Sequence, residues 1–284
     1  MMRIESRGKL PSMPFLPLRD VQPEPAGVRL GEAWLDRLAA ELTRPELDRN
    51  DLCLDLLKDI YFPQYADRDL EALPPAVQLA IANLDPRNVT LEPEYYAEID
   101  PEKYYRVKPL LWLWQMFDKS PLGNNVHLGV RFRRLLAPHI FKRCGRNFKA
   151  FNYVEFSFGY NLEVGDDVVV HRYVLLDDRG GIVLGNRVSI SDFANIYSHT
   201  HSIVDQRNVT LARTVLEDDV RITYHATVLA GVVVGRNAMV GASAVATRDV
   251  RPFHVNVGIP AKSVRVKPSA PPQISETTTV ERGH

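Results

Sequence analysis

The chain has 284 residues and a mass of 32.2 kDa, a length typical of one large domain or two small ones. Apolar residues make up 45% and charged residues 25%, which excludes a disordered chain or a bundle of membrane helices. Basic and acidic residues number 35 each, so the formal net charge is +0. This balance excludes the strong basic field of a typical nucleic-acid-binding protein.

Three local features predict a cytoplasmic protein. The longest apolar stretch, residues 109–117, is too short to span a bilayer. The two cysteines, Cys53 and Cys144, cannot build a disulfide framework, which fits a reducing compartment. The first eleven residues lack the apolar core of a signal peptide. We therefore expect no membrane span and a cytoplasmic location.

The first half of the chain is predicted to be helical after a short arm. Residues 1–30 are rich in proline and predict an extended arm, and residues 31–145 predict an α-helical region. Within it, helices are expected from Gly31 onwards, after Asn50 or Asp51, after Pro75, over 101–117 and over 131–143. Pro109 should kink or split the fourth of these helices. The tail, residues 268–284, shows no periodicity and is expected to be disordered.

From about residue 150 to residue 267 the apolar pattern changes to a period of six. One register of anchors ends at Ile182, a second starts at Leu184, and a small residue or valine usually follows four places after each anchor. Neither the 3.6-residue period of a helix nor the two-residue period of a strand produces this pattern. A six-residue unit is one short strand plus a turn, and three units close a triangular coil of roughly 18 residues. We predict a mainly β protein, a parallel β-helix, with a valine-rich β-sandwich as the alternative.

The six-residue pattern is interrupted between Ile196 and Leu216. The spacing there is 20 residues, two more than a full coil, and residues 198–207 read Ser-His-Thr-His-Ser-Ile-Val-Asp-Gln-Arg. Loops inserted into a repeating scaffold commonly carry function. His199, His201 and Asp205 are therefore candidate functional residues.

The pattern and three segments resemble the hexapeptide-repeat acyltransferases, in particular their sugar O-acetyltransferase branch. The segments are residues 196–205 (Ile-Tyr-Ser-His-Thr-His-Ser-Ile-Val-Asp), 240–250 (Val-Gly-Ala-Ser-Ala-Val-Ala-Thr-Arg-Asp-Val) and 257–265 (Val-Gly-Ile-Pro-Ala-Lys-Ser-Val-Arg). The resemblance covers about residues 150–267. It implies a left-handed parallel β-helix with an N-terminal α-helical segment, a homotrimer with active sites between β-helices, and transfer of an acetyl group from acetyl-CoA to a sugar or glycan hydroxyl.

The resemblance also implies roles for individual residues near the interruption. His201 matches the general base, and Asp205 matches its catalytic partner, although a backbone carbonyl could equally orient the imidazole. One coil earlier, His171 matches a position that contacts the acceptor, and a second such position falls at Asp177 or Asp178, of which we take Asp178. His199 is added to them as a substrate-binding candidate. Relatives carry asparagine in place of His171, so this residue leaves the identity of the acceptor open.

The coenzyme is expected to bind along the last coils. Five cations between Arg248 and Lys267 face a single acidic residue, Asp249, and such a local excess fits nucleotide phosphates. Tyr224 stands where relatives have a small residue, so it would narrow the coenzyme channel. The resemblance implies acetyl-CoA contacts at Tyr224, Ala242, Thr247, Arg248, Lys262 and Arg265, and no metal.

Two other functions remain open from the sequence. The first is a zinc enzyme like the γ-class carbonic anhydrases, because His199 and His201 form a pair that can ligate zinc, with His171 and His225 as further candidates. Bound zinc would favour this reading. The second is a non-catalytic β-helix scaffold whose helical segment binds a partner, and failure to bind CoA would favour it.

Overall fold

The computed structural model describes residues 21, 23–65 and 68–275, which form a helical segment followed by a β-solenoid. The α-helices of the segment are α1 (Pro25–Leu42), α2 (Arg49–Tyr61), α3 (Pro75–Ala82), α4 (Pro101–Lys119) and α5 (Val126–Ile140). Short 3₁₀ helices lie at Pro63–Tyr65, Leu70–Ala72, Pro86–Asn88, Glu92–Tyr95 and Pro121–Asn124.

The boundaries of the helical region differ from the prediction at both ends. Helix α1 begins at Pro25 rather than Gly31, because proline suits the first position of a helix. The rest of the predicted arm, residues 1–20 and 22, lies outside the described residues. The β-solenoid begins at Arg143, inside the region predicted to be helical. In the predicted tail, α6 (Pro272–Ser275) adds one short turn, and residues 276–284 lie outside the described residues.

Two helix predictions were wrong in detail. Helix α2 is capped by Asp48, whose carboxylate accepts from the backbone N–H of Asn50 at 2.8 Å, rather than by Asn50 or Asp51. Helix α4 runs unbroken through Pro109. Its residues on both sides of the proline are buried, including Val107 and Leu110, and this packing outweighs the lost backbone hydrogen bond.

The chain then winds into a parallel β-solenoid of about six turns with three walls. The first wall contains β1 (Arg143–Cys144), β4 (Leu162–Val164), β7 (Ile182–Leu184), β12 (Thr214–Leu216) and β15 (Val233–Val234). The second contains β2 (Lys149–Ala150), β5 (Val169–Val170), β8 (Ser189–Ile190), β13 (Arg221–Ile222), β16 (Met239–Val240), β18 (His254–Val257) and β19 (Lys262–Val266). The third contains β3 (Glu155–Phe156), β6 (Leu175–Asp177), β9 (Asn195–Tyr197), β14 (Thr227–Val228) and β17 (Val245–Ala246).

The predicted six-residue pattern is confirmed as the interior of this solenoid. The anchors are at most 1% exposed, and each fully buried aliphatic side chain stabilises the fold by about 1.5–3 kcal/mol. The coils are longer than predicted at first: Val169 pairs with Ser189, 20 residues on, whereas Arg221 pairs with Met239, 18 residues on. The two extra residues explain why the anchors change register between Ile182 and Leu184.

The coils turn at three corners, and each corner contains residues with positive φ. The first two corners carry non-glycine residues, whereas the third carries glycine, whose backbone adopts this conformation without steric cost. At the second corner the rings of Tyr153, Tyr173, Phe193 and His225 stack from coil to coil, with centroids 4.9 Å apart. Stacking offsets part of the backbone strain that a bulky residue has at positive φ.

The predicted interruption is a β-hairpin that leaves the third wall. Strands β10 (His199–His201) and β11 (Val209–Leu211) pair antiparallel, and the chain rejoins the solenoid at β12. Ser189 therefore pairs with Arg221, 32 residues on, instead of 18 or 20. Thr200, four places after the anchor Ile196, is exposed because it lies in this hairpin. The hairpin places both loop histidines outside the solenoid, beside the third wall.

A buried ion pair docks the helices onto the first coil. The Nε of Arg133 in α5 donates to Oδ1 of Asp118 in α4 at 2.8 Å, and both side chains are at most 3% exposed. The other carboxylate oxygen of Asp118 accepts from the backbone N–H of Tyr153 at 2.7 Å. Arg133 also donates to the carbonyls of Ala150 and Gly123. The pair therefore joins two helices to the start of the solenoid.

We expect Arg133→Met to lower the free energy of unfolding by about 3–5 kcal/mol, because it leaves the buried carboxylate of Asp118 without its charge partner. Denaturant unfolding checks this value. Arg131→Met is the control, since Arg131 lies on the same helix in an exposed pair with Glu32 and should change stability by less than about 1 kcal/mol. Equal effects of the two substitutions would contradict the docking role.

Candidate active site

His201 lies exposed on the hairpin, and its imidazole is oriented by a backbone carbonyl. Its Nδ1 is 2.6 Å from the carbonyl oxygen of Gln206. A carbonyl only accepts hydrogen bonds, so this contact places the ring proton on Nδ1 and leaves the lone pair on Nε2. The sequence left open whether Asp205 or a carbonyl orients the ring, and the structure shows the carbonyl.

His199 lies beside His201 and contacts a buried carboxylate. The two histidines are two residues apart in β10, so their side chains share a face, and their ring centroids are 5.2 Å apart at 84°. The Nδ1 of His199 contacts Oδ2 of Asp177, whose side chain is 4% exposed. The other oxygen of Asp177 accepts from the hydroxyl of Ser157 at 3.1 Å. His199 is thus more firmly held than a free loop residue.

The two histidines line a cavity of about 570 Å³ between the hairpin and the helical segment. The opposite side of the cavity comes from residues 92–98, which follow the first helices in sequence and include Tyr95 and Tyr96. Tyr95 is 80% exposed, so a large aromatic surface is available at the cavity rim. The cavity therefore joins groups from the solenoid and from the helical segment.

Arg179 fixes residues 92–98 to the solenoid. Its guanidinium forms an ion pair with Glu98, and its central carbon lies 3.9 Å from the centroid of the Tyr96 ring. The hydroxyl of Tyr96 in turn donates to Glu92. Burial and this carboxylate raise the pKa of Tyr96 to about 12, so it stays a neutral donor near pH 7. These contacts hold the cavity wall in a defined position.

Asp178, expected to contact the acceptor, faces the interior of the solenoid instead. It is fully buried, and its carboxylate accepts from the backbone N–H groups of Phe158 at 2.7 Å and Asn161 at 3.1 Å. The reason is strand alternation: Asp178 has the parity of the interior residue Leu176, whereas Asp177 has the opposite parity. Asp177 is therefore the carboxylate that reaches the cavity.

Two further candidate residues lie apart from the cavity. Asp205 binds the Nε and the backbone N–H of Arg207, at 3.2 and 3.0 Å, and makes no contact with the imidazole of His201. His171 stacks on Phe151 at the second corner, with centroids 4.9 Å apart, and is not among the cavity-lining residues. Within one chain, the structure does not bring either of them to the two hairpin histidines.

The predicted coenzyme residues belong to the last coils and are all exposed: Tyr224, Ala242, Thr247, Arg248, Lys262 and Arg265. Tyr224 packs edge-on against Phe193 at the second corner. Over the part of the chain that the structure describes, no carboxylate pairs with Arg248, Arg251, Lys262 or Arg265. Asp249 instead accepts from the backbone N–H of Val233. The cations are thus available to an anionic ligand.

Two kinds of feature are absent from residues 21, 23–65 and 68–275. No group of three or more histidine, cysteine, aspartate or glutamate side chains is arranged to hold a metal ion. None of the helices there has the length and apolar character that crossing a bilayer requires.

Sequence reasoning offered Asp177 or Asp178 and chose Asp178, and it did not identify Ser157, the Gln206 carbonyl or the 92–98 wall. Strand parity was the available signal for choosing Asp177, because it follows the interior residue Leu176. Ser157 lies one coil, 20 residues, before Asp177. The Gln206 carbonyl depends on the path of the hairpin, and the 92–98 wall depends on a contact between residues 81 positions apart, for which the sequence contains no local signal.

We expect Asp178→Ala to lower the free energy of unfolding by about 1–3 kcal/mol, because it leaves two buried N–H groups without an acceptor. The KM of any acceptor should stay within about twofold, since Asp178 does not reach the cavity. Denaturant unfolding and acceptor kinetics check the two expectations. A tenfold rise in acceptor KM with unchanged stability would restore the role expected from the sequence.

The titration of Asp178 should make the stability of the protein depend on pH. Burial raises the pKa of Asp178 from 3.8 to about 6, so the folded chain binds this proton more tightly than the unfolded chain. Its stabilising contribution is therefore complete below about pH 4 and is lost as the pH rises through about 6. The stability of the wild type relative to Asp178→Asn, which does not titrate, should fall across this range.

The relatives of this chain among known proteins are acetyltransferases. No family model matches the chain. It is 30% identical over 114 residues to a Schizosaccharomyces pombe protein assigned as an acetyltransferase, covering 39% of this chain and 55% of that protein. It is 24% identical over 169 residues to the galactoside O-acetyltransferase of Escherichia coli, covering 58% and 79%. The aligned part is thus little more than half of the first relative.

The fold has a close counterpart among solved structures. A hexapeptide-repeat acetyltransferase of Vibrio cholerae, solved in complex with acetyl-CoA, superposes with a TM-score of 0.52 at 24% identity, covering 61% of this chain and 90% of that one. The chain is therefore a homologue of acetyltransferases, including a galactoside O-acetyltransferase, and it has the left-handed β-helix fold of the hexapeptide-repeat acetyltransferases.

Proposed function

We propose that the protein transfers an acetyl group from acetyl-CoA to a hydroxyl of a sugar or glycan precursor, with His201 as the general base. The observation that carries the proposal is the contact between Nδ1 of His201 and the Gln206 carbonyl, which leaves a basic Nε2 on an exposed ring. This ring lines a cavity that also presents tyrosine and carboxylate side chains, the groups that bind sugars. One relative is named galactoside O-acetyltransferase, which describes the transfer of an acetyl group to an oxygen of a galactoside.

In this reaction His201 moves one proton. As the acceptor oxygen forms a bond with the thioester carbonyl carbon, the Nε2 of His201 takes the hydroxyl proton. The resulting tetrahedral oxyanion collapses, the carbon–sulfur bond breaks, and the imidazolium returns the proton to the departing thiolate. The products are an acetyl ester and the free thiol of CoA, so atoms and charge balance without a metal or an oxidant.

The last coils fit the coenzyme. Arg248, Lys262 and Arg265 are exposed cations without carboxylate partners among the described residues, so they suit the phosphates of CoA. Ala242 leaves space along the wall for the pantetheine arm. Tyr224, 48% exposed, would stand beside that arm and narrow its channel. Asp205 has no catalytic part in this proposal, because it holds Arg207 and the hairpin turn.

We expect His201→Ala to lower kcat by about 10²–10⁴-fold, the usual contribution of a positioned general base. The KM for acetyl-CoA should change little, because the cations of the last coils bind it. Acetyl-CoA consumption with a panel of sugars and nucleotide sugars measures both. His127→Ala, an exposed histidine of α5, is the control and should behave like the wild type.

Three results would contradict the proposal. An unchanged kcat in His201→Ala would show that His201 is not the general base. Absence of acetyl-CoA binding would favour a scaffold, and zinc bound in proportion to protein would favour the metalloenzyme.

The exposed apolar side chains of the solenoid support assembly of the chain with copies of itself. Tyr173, Tyr224, Leu229, Ile259 and Val264 are each 39–75% exposed, an unusual amount of apolar surface for a chain working alone. His171, remote from the cavity of its own chain, would then face that of a neighbour. Both free cysteines also suit the reducing cytoplasm, which we propose as the location.

We expect a homotrimer of about 97 kDa, three times the 32.2 kDa chain, because closed symmetric assemblies bury such surfaces. Light scattering at micromolar concentration measures this mass. Tyr173→Lys should weaken the trimer, whereas Leu79→Lys on the exposed face of α3 should not. A single species of about 32 kDa for the wild type would contradict the prediction.

A further inference from the structure

His199 and Asp177 form a pair that is closed to other partners. The Nδ1 atom of His199 and the Oδ2 atom of Asp177 are both buried, and in the described part of the chain neither has a hydrogen-bond partner apart from this mutual contact. The His199 side chain is 15% exposed, so only part of its ring, away from Nδ1, can reach a ligand. The carboxylate thus controls which edge of the imidazole faces the cavity.

Asp177 is well suited to hold this orientation. One of its oxygens is occupied by the Ser157 hydroxyl at 3.1 Å, and the other by His199. The following turn is also fixed, because the Ser198 hydroxyl donates to the Asp177 carbonyl at 2.5 Å and accepts from the Gly180 N–H at 2.8 Å. These partners offset the cost of burying the Asp177 carboxylate, so it can stay fixed beside the cavity.

We propose that Asp177 positions His199 as a second acceptor-binding imidazole, so that the site selects acceptors with two neighbouring hydroxyl groups. The proposal rests on the acetyl transfer proposed above. His201 takes the proton of the reacting hydroxyl, and His199 holds a second hydroxyl of the same acceptor. Asp177 does not touch the acceptor and acts through His199.

The hydrogen-bonding chemistry of the two rings leads to this substrate class. Each ring has its Nδ1 engaged by an oxygen that only accepts, the Gln206 carbonyl for His201 and the Asp177 carboxylate for His199. Each ring therefore presents Nε2 as an acceptor, and two acceptors side by side suit two hydroxyl donors. With ring centroids 5.2 Å apart on one strand face, a single small polyol can reach both.

The test removes the His199 imidazole from the protein and the neighbouring hydroxyl from the acceptor. It uses the full chain and two acceptors: a sugar acetylated in the panel, and its monodeoxy analogue lacking the hydroxyl next to the acetylated position. We compare kcat/KM for the wild type, His199→Ala, Asp177→Asn and Thr200→Ala. Thr200 lies between the two histidines on the opposite face of β10 and serves as the matched control.

We expect the wild type and Thr200→Ala to favour the complete sugar by about tenfold or more, because the deoxy analogue leaves the His199 nitrogen unpaired. In His199→Ala and Asp177→Asn this preference should fall below about threefold. A double variant that combines His199→Ala with Asp177→Asn should lose no more of this preference than His199→Ala alone, because Asp177 acts through the His199 ring. Unchanged preference in His199→Ala, or additive losses in the double variant, would overturn the proposal.

Imidazole nitrogen NMR separates this proposal from the proposed function. In the free wild-type protein, His199 should show a proton fixed on Nδ1, and Asp177→Asn should abolish that signature. Methyl galactoside and maltose at millimolar concentration should shift both hairpin imidazoles. If acetyl-CoA is never consumed but these signals behave as expected, acetyl transfer fails and the paired site stands. If acetyl-CoA is consumed but the His199 ring does not respond to an accepted sugar, the inference fails alone.

Discussion

The left-handed corner is the constraint on which the rest of the structure depends. Strands of two or three residues close into a coil only if the backbone reverses sharply after each, and the residues at these corners have positive φ. Glycine meets this demand at one corner at no steric cost. At another, four stacked rings offset the strain. Because the corners of successive coils lie above one another, the chain can leave the solenoid at one corner, form an insertion and return without disturbing the coils above and below.

That insertion places two histidines beside a wall of the rigid solenoid. The hairpin leaves the third wall just after Ser198 and carries His199 and His201 on one face, while the wall itself supplies Asp177. Within a single Asp-Asp dipeptide, alternation sends Asp177 to the cavity and Asp178 to the interior. The first carboxylate holds an imidazole, and the second accepts backbone hydrogen bonds. One residue of register thus separates a carboxylate that lines the cavity from one that is enclosed in the solenoid.

The repeating part of the fold could be predicted from the sequence, because each coil buries the same kind of side chain at the same interval. The position of the hairpin followed from the break in that interval between Ile196 and Leu216. The partners within the site could not be predicted. The resemblance to the acyltransferases implied Asp205 as the partner of His201, but a turn directs it to Arg207, and the carbonyl of Gln206 contacts the imidazole instead. The 92–98 wall depends on the Arg179–Glu98 pair, which joins residues 81 positions apart.

The docked helices have a consequence for the ends of the solenoid. Strands β1, β2 and β3 form its first coil, and each would offer an unpaired backbone edge to another molecule. Helix α5 packs against β1 and β2, and Arg133 occupies the carbonyl of Ala150 on that coil. At the other end, β19 folds back antiparallel on β18. The second wall therefore has a helix at one end and an antiparallel strand at the other, and neither is the parallel edge that a coil from a second chain would need to extend this wall.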